Sequence, residues 1–115
     1  MRQFHSIKKN REFQEVYHSG KSYANKLLVM YVKKMDRPES RIGISVSKKV
    51  GHSVVRHHIT RLLRECYRLH EAETESGLNI EVVVRPAAKE EKYKTIEGAY
   101  LHLCGLHNIL KRESK

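Results

Sequence analysis

The stretch from Val54 to Arg68, VVRHHITRLLRECYR, carries two adjacent histidines and four arginines among regularly spaced aliphatic residues. Histidines are typical of metal sites, whereas arginines favour phosphate, because the guanidinium group donates forked hydrogen bonds to phosphate oxygens. Adjacent residues on a helix diverge by about 100°. His57 and His58 would therefore point apart, and no cysteine or acidic residue lies one turn from either. We favour a phosphate-binding surface over a zinc site.

Charge along this segment supports the same interpretation. Taken as a helix from Ser53 to Glu71, the segment has an apolar stripe expected to face the core, formed by Val55, Ile59, Leu62, Cys66 and Leu69. The opposite stripe contains His57, Thr60, Arg61, Arg64 and Arg68. A solvated helix face usually mixes charges of both signs. The window from Ser40 to Arg64 instead holds six Lys or Arg residues and no acid, which favours a polyanionic partner.

The composition of the whole chain points to nucleic acid. Its 115 residues are enough for one domain with a modest core, and 23 Lys and Arg against 13 Asp and Glu give a formal net charge of +10. Phosphate polymers reward many basic groups at once through counterion release, so nucleic acid is the first candidate partner and an anionic membrane surface the second.

Neither a membrane span nor a secretory signal is expected. The longest apolar run, Leu27 to Val32, has six residues, whereas a spanning helix needs about 20. The first ten residues, MRQFHSIKKN, lack the apolar centre of a signal peptide. We therefore expect a cytoplasmic protein.

No catalytic constellation stands out in the sequence. Cys66 and Cys104 each fall within an apolar helical pattern and are predicted to be buried, reduced thiols. Glu90 and Glu91, in the sequence KEEKY, form the only adjacent acidic pair near a strand end, and they are expected to open the last helix. The sequence predicts no catalytic residue and no metal ligand.

Helices and strands are predicted on both sides of the basic segment, and they position it in the fold. A helix is expected from about Asn10 to Ser19, capped by Asn10 and ended by Gly20, with Phe13, Val16 and Tyr17 on one face. A strand from Leu27 to Lys33 and a turn from Met35 to Ser40 follow. The next strand, Arg41 to Ser47, is predicted to be the hairpin partner of the first.

This second strand alternates aliphatic side chains with small ones, so Gly43, Ser45 and Ser47 would let a ligand or backbone approach closely. A third strand from Asn79 to Pro86 and a final helix from about Lys92 to Lys111 complete the pattern. The order α-β-β-α-β-α predicts an α+β fold in which three helices pack with a small mixed sheet.

The residues from Gly43 to Glu65, GISVSKKVGHSVVRHHITRLLRE, resemble the signature of the protein subunit of bacterial ribonuclease P. That signature reads approximately Ser-Lys-Lys, Gly-Asn-Ala-Val, Arg-Asn-Arg, then Lys-Arg and Arg-Glu. IKKNREFQEVYHSGKSYAN, residues 7–25, is similar to the amino-terminal region of the family, and VVVRPAAK, residues 82–89, to its third-strand exit. The resemblance therefore covers nearly the whole chain.

The resemblance implies a division of labour between RNA and protein. An RNA subunit hydrolyses precursor tRNA at the 5′ end with bound Mg²⁺, while the small protein binds that RNA and the single-stranded 5′ leader. It implies a single RNA-binding domain over residues 1–115, one protein per RNA subunit, no cofactor held by the protein alone and no membrane partner. It also implies an unusual left-handed β-α-β crossover, against the usual hand.

Two sets of residues carry over from the family. The set matched to binding of the RNA subunit is Lys48, Lys49, Arg56, His57, His58, Arg61, Arg64 and Arg68. The set matched to the leader cleft is Phe13, Tyr17 and Tyr31, with Lys8 and Lys9 at its border. Aromatic faces suit a variable leader, because stacking contributes about 1 to 3 kcal/mol per base and tolerates any sequence.

The chain also departs from the family signature. His52 and Ser53 stand where Asn-Ala is common, His57 and His58 follow Arg56 in place of Asn-Arg, and Thr60 replaces a common Lys. Two formal positive charges are therefore missing, although a histidine can still donate a hydrogen bond to a phosphate.

Other classes of function remain open on the sequence alone. The main alternative is a structural ribosomal protein or RNA chaperone that uses the same basic helix on another RNA. An autonomous metal nuclease is more remote. A DNA-binding helix-turn-helix is remote as well, because a pair of strands rather than a short turn precedes the basic helix. The RNA that copurifies with the protein would separate the first two classes.

Overall fold

The predicted α+β class is confirmed, with one strand more than the sequence indicated. In the computed structural model, the backbone is described for residues 10–111 and the side chains for residues 14–111. The helices and strands are α1 (Asn10–Ser19), β1 (Lys21–Ala24), β2 (Leu28–Lys34), β3 (Arg41–Val46), α2 (Ser53–His70), β4 (Leu78–Val84) and α3 (Tyr93–Leu106). None of these helices is long and apolar enough to cross a membrane.

The strand missed by the sequence patterns is β1. Its four residues, KSYA, are all exposed and show no apolar alternation, so only pairing with β2 defines it as a strand. Gly20 joins α1 to β1 and ends the helix as predicted. A Cβ at this position would lie 2.6 Å from the carbonyl oxygen of Val16, so a side chain would force the two elements apart.

The strands are ordered β1-β2-β4-β3, and the predicted hairpin of β2 and β3 is wrong. β4 lies between these two strands, antiparallel to β2 and parallel to β3. Six of the seven residues of β4 are buried, which suits the centre of the sheet. β3, α2 and β4 form the parallel β-α-β unit that the resemblance implies, while the hand of its crossover stays a prediction.

The core lies between one face of the sheet and helices α2 and α3. The sheet contributes alternate residues, among them Met30, Ile42, Ile80, Val82 and Val84. The buried residues of α2 are Ile59, Leu63, Cys66 and Tyr67. Leu69, placed in the core by its spacing, is 51% exposed. The buried sector is rotated toward Leu63 and Tyr67 because α2 packs against both β3 and α3.

Both cysteines are buried and unpaired, as predicted. Cys66 lies on α2 and Cys104 on α3, and neither is exposed. Burial raises the pKa of the Cys66 thiol to about 11 and that of Cys104 to about 12. Both side chains therefore act as small apolar residues in the core.

The predicted end of the last helix at Lys111 is wrong, because α3 ends at Leu106. Asn108 adopts a left-handed backbone conformation with φ of 57°. The amide of Ile109 donates to the carbonyl of Cys104, and that of Asn108 to Gly105, which is the Schellman pattern of helix termination. The chain then turns back, and Leu110 forms a bridge with Thr74 instead of a helical turn.

This helix end can be tested by substitution at Asn108. Asn108→Ala is expected to lower the free energy of unfolding by about 1 kcal/mol, because a Cβ without a compensating polar group disfavours the left-handed region. Asn108→Gly should preserve stability or raise it slightly. Urea unfolding of the three proteins measures the difference, and an equal loss for Ala and Gly would show that the Asn108 side chain, not its backbone conformation, matters.

Candidate nucleic-acid interface

The second face of the sheet is polar and is crossed by α1. Cross-strand partners share a face, so Tyr31 of β2, Glu81 of β4 and Gly43 of β3 lie side by side on it. Val16 of α1 is fully buried, which fixes the helix against this face. Where α1 meets the sheet, four side chains contact one another and form a cluster that we call the aromatic cleft: Tyr17, Tyr31, Ser45 and Glu81.

The aromatic cleft brings together two of the residues assigned to the leader. The rings of Tyr17 and Tyr31 meet edge to face, with centroids 4.8 Å apart and planes at 75°. Both side chains are half-buried, so each ring keeps an accessible part for stacking. Phe13 lies one turn before Tyr17 on α1, but its side chain, like all of Lys8 and Lys9, is outside the described residues.

Glu81 is a functional candidate that the sequence reasoning missed. Its carboxyl group is fully buried, and Oε1 accepts hydrogen bonds from the hydroxyl groups of Ser45 at 2.8 Å and Tyr17 at 3.4 Å. Burial raises its pKa to about 7, although these two hydrogen bonds lower it in part. The available signal was a lone acid in the apolar run IEVVV, where alternation turns its side chain away from the core.

The small residues of β3 were predicted to admit a ligand or another backbone, whereas the group that contacts them in the structure is a side chain. Gly43 lies directly opposite Glu81, and Ser45 supplies one of its hydrogen bonds. The group that approaches β3 closely is thus a carboxyl group of the neighbouring strand.

Basic side chains border the aromatic cleft at the end of the sheet near Asn79. Lys33 of β2 forms an ion pair with Glu15 of α1 at 2.9 Å, which links the helix to the sheet. Arg37 donates a hydrogen bond to the Oδ1 atom of Asn79. Exposed ion pairs contribute little to stability, so we assign the first contact chiefly to positioning α1.

The other candidate surface is the basic face of α2, which we define as His57, His58, Arg61 and Arg64. All four side chains are exposed. Lys48 and Lys49 are exposed in the turn that leads into α2, and the first turn of the helix contains no acid. The amino-terminal end of a helix carries a partial positive charge, so neighbouring lysines are unfavourable there unless an anion is bound. The start of α2 is therefore suited to phosphate groups.

The remaining two arginines of the assigned set have different surroundings. Arg56 is half-buried and lines a groove between β3 and α2 together with Ile44, Val46 and Thr60. Its Nε atom has no hydrogen-bond partner among the described residues. Arg68 instead holds Glu65, with Nε 3.2 Å from Oε2, and this contact lowers the pKa of Glu65. Arg68 is thus already engaged within the protein.

His70 fixes the far end of α2 against α3. Its Nδ1 atom lies 2.8 Å from a carboxylate oxygen of Glu73, and its Nε2 atom 2.8 Å from one of Glu97 on α3. The hydrogen bond to Glu97 is the main cause of a raised pKa at His70. This contact links the carboxyl-terminal end of α2 to α3. Among residues 14–111, no three His, Cys, Asp or Glu side chains cluster as metal ligands.

The two surfaces lie on opposite faces of the sheet and approach each other at β3. Ser45 points into the aromatic cleft, whereas Ile44 and Val46, the residues on either side of it, line the groove against α2. β3 is an edge strand of the sheet formed by residues 10–111, so no other strand in this range separates the two surfaces there. An RNA on α2 and a single strand in the aromatic cleft would therefore come close together at this edge.

Comparison with known proteins identifies the family to which most of the chain is similar. A family model described as Ribonuclease P matches residues 1–107. The ribonuclease P protein component of Lachnoclostridium phytofermentans is 52% identical over 105 residues, which cover 91% of this chain and 90% of the relative.

Solved structures agree with the sequence matches. The RNase P protein of Staphylococcus aureus superposes with a TM-score of 0.87 at 33% identity, over 95% of this chain and 100% of that protein. The protein from Thermotoga maritima superposes with a TM-score of 0.79 at 26% identity, over 96% and 98% respectively. The match therefore extends from single motifs to the complete fold.

Proposed function

The chain belongs to the ribonuclease P protein family, and from this premise we propose how its two surfaces serve the enzyme. It is the protein component of ribonuclease P, a ribonucleoprotein endoribonuclease that acts on tRNA precursors. Its partner is the ribonuclease P RNA. The relatives give no support to the alternative of a ribosomal protein or RNA chaperone.

The ribonuclease P RNA binds the basic face of α2 and the turn before it. The observation that carries this assignment is an exposed cationic surface without acids at the amino-terminal half of α2, opposite its buried side. Such a surface gains most from a partner with closely spaced phosphates. The residues assigned to it are Lys48, Lys49, Arg56, His57, His58, Arg61, Arg64 and Arg68, of which Arg68 contributes least because it already binds Glu65.

The aromatic cleft receives the single-stranded 5′ leader of precursor tRNA. Tyr17 and Tyr31 offer stacking surfaces without base-specific hydrogen bonds, as a variable leader requires. Phe13 completes this set on α1, and Lys8 and Lys9 border it from the segment before the helix. The leader then leaves the cleft beside β3, next to the RNA that is bound on α2.

The chemistry belongs to the RNA subunit in this assignment. Mg²⁺ is held together with the ribonuclease P RNA, and hydrolysis takes place there, so the protein supplies binding and orientation. One protein molecule serves one RNA subunit in the cytoplasm. Holding the leader and the RNA at fixed positions lowers the entropic cost of placing the scissile bond.

Reconstitution tests this function. The protein, combined with a bacterial ribonuclease P RNA at low Mg²⁺ concentration, is expected to increase binding and 5′ processing of precursor tRNA over the RNA alone. The same assay without RNA should show no processing. Failure to improve either binding or processing would reject the proposed function. Processing by the protein alone would show that the protein itself is catalytic.

Substitution in the aromatic cleft should act on the leader alone. Tyr17→Ala or Tyr31→Ala is expected to weaken binding of leader-bearing precursor by about 1 to 3 kcal/mol, with little effect on mature tRNA. Phe13→Ala should behave in the same way.

The matched control is Tyr23→Ala. Tyr23 is 43% exposed, but it lies on the opposite face of the sheet, where its ring meets His107 with centroids 4.7 Å apart. Affinities of the reconstituted enzyme for both RNAs give the comparison. If Tyr23→Ala weakens precursor binding as much as Tyr17→Ala does, the assignment of the leader to the aromatic cleft is wrong.

A further inference from the structure

The carboxyl group of Glu81 lies beneath the leader-binding rings, and the proposed function gives it no task. Four elements enclose it, since Tyr17 comes from α1, Tyr31 from β2 and Ser45 from β3, while Glu81 itself is on β4. Two hydroxyl groups donate to Oε1, and Oε2 has no hydrogen-bond partner among the described residues. The side chain is fully buried, so water does not solvate its charge.

No described cation neutralises this carboxyl group. Among the described side chains, the titratable or charged groups on the packed elements include Tyr17 and Glu15 of α1, Tyr31 and Lys33 of β2, and Arg41 of β3. Lys33 is paired with Glu15 at 2.9 Å. Lys33 and Arg41 are the cross-strand partners of Asn79, which lies two residues before Glu81 on β4. Within the described part of the chain, neither cation forms an ion pair with Glu81. Among the described residues, a negative charge at Glu81 therefore has no ion-pair partner.

We propose that Glu81 couples leader binding to the uptake of one proton, so that the leader occupies the aromatic cleft while this side chain is a neutral carboxylic acid. The inference rests on the assignment of the leader to the cleft. The proton comes from solvent and forms an O–H bond with the carboxylate, and no other bond changes. Leader phosphates bring further negative charge, so they favour the neutral form.

The effect of this coupling on affinity is measurable. One unit charge about 8 Å from a phosphate, at an effective dielectric constant of about 30, changes an affinity roughly tenfold. Since burial raises the pKa of Glu81 to about 7, the change in affinity occurs at pH values at which RNA is stable. As pH rises through this value, the preference for leader-bearing precursor over mature tRNA should therefore decrease.

The test measures both affinities for the reconstituted enzyme between about pH 6 and about pH 8.5. For the wild-type protein, the ratio of precursor to mature tRNA affinity should fall about tenfold over this range. Glu81→Gln keeps the shape and the acceptor for Ser45 and Tyr17 but cannot ionise, so its ratio should stay constant. Glu90→Gln, an exposed substitution before α3, should retain the wild-type slope.

Each outcome decides the inference. A constant ratio for the wild-type protein, with precursor still preferred, would overturn the coupling and leave the leader cleft intact. No preference for precursor at any pH would instead overturn the leader cleft itself, and the coupling with it. The same pH slope in Glu81→Gln as in the wild-type protein would assign the proton to another group.

Calorimetry supplies a second readout that needs no variant. Binding enthalpies measured in two buffers of different ionisation enthalpy give the number of protons taken up. Near pH 7, leader-bearing precursor should take up more protons than mature tRNA, because burial raises the pKa of Glu81 to about 7 and leader binding favours its neutral form. Equal uptake for the two RNAs would overturn the inference, even if Glu81→Gln failed to fold.

Discussion

Replacing Arg61 and Arg64 together with alanine is expected to weaken binding to ribonuclease P RNA about 100-fold or more. Both side chains are exposed on the basic face of α2, and neither belongs to the core. A hydrogen bond to a charged group contributes about 1.5 to 3 kcal/mol, so two lost phosphate contacts cost about 3 kcal/mol or more. Alanine favours helix, so α2 itself should persist.

The measurement is a titration of the RNA with each protein at several salt concentrations. Loss of two phosphate contacts should reduce the slope of log affinity against log salt by about two. The matched control replaces Lys89 and Lys94, two exposed residues around the start of α3, and removes the same charge. If this control loses as much affinity as Arg61→Ala/Arg64→Ala does, net charge rather than the basic face of α2 determines binding.

Glu81→Gln is expected to change how stability depends on pH by about 3 kcal/mol. The pKa of Glu81 is about 7 in the folded protein against a usual value of 4.5, so between these values the folded state holds a proton that the unfolded state releases. The free energy of unfolding therefore falls as pH rises from about 4.5 to about 7. This loss amounts to about 3 kcal/mol at neutral pH and above.

Urea unfolding of both proteins at about pH 4 and about pH 8 measures this loss. Subtracting the two free energies cancels all other titrating groups, so the stability of Glu81→Gln relative to wild type should rise by about 3 kcal/mol between the two conditions. Glu90→Gln serves as the control and should show no such rise. A difference between Glu81→Gln and wild type that is independent of pH would mean that the carboxyl group is not strained by its burial.

Local periodicity predicted the elements well where apolar residues repeat regularly. α2 follows the predicted bounds within one residue, and the alternation in β3 and β4 placed their aliphatic side chains in the core. β1 was not predicted because KSYA is exposed throughout and depends on pairing with β2 for its structure. The end of α3 was predicted too late because Ile109 and Leu110 continue the apolar pattern. Asn108 ends the helix through its backbone conformation, which this pattern does not show.

Sheet order and the exact buried sector of α2 depend on contacts that no local pattern contains. A turn between β2 and β3 suggested a hairpin, yet β4 enters between them after the chain has passed through α2. Leu69 matched the spacing of a core residue, but the contact of α2 with α3 turned Leu63 and Tyr67 inward in its place. Helical spacing predicts how wide an apolar stripe is better than it predicts which residue lies at the centre of the buried face.

The candidate surfaces were predictable to different degrees. Charge and spacing alone indicated the basic face of α2, whereas Tyr17 and Tyr31 were assigned to the leader only through the family resemblance. Their contact at 4.8 Å depends on α1 crossing the polar face of the sheet. Glu81 was missed because the alternation in IEVVV indicates which face its side chain takes, but not whether its carboxyl group is solvated or buried on that face.

The division of the two surfaces can be tested most directly by RNA cleavage from chelated iron tethered to the protein. A single cysteine at Ser22, exposed on β1 beside Tyr31, places the iron at the aromatic cleft, and one at His58 places it on the basic face of α2. Cys66 and Cys104 are buried and should remain unlabelled. In the enzyme bound to precursor tRNA, Ser22→Cys should cut the 5′ leader and His58→Cys the ribonuclease P RNA. Equal cutting of both RNAs from both positions, or the reverse pattern, would contradict the division of the two surfaces.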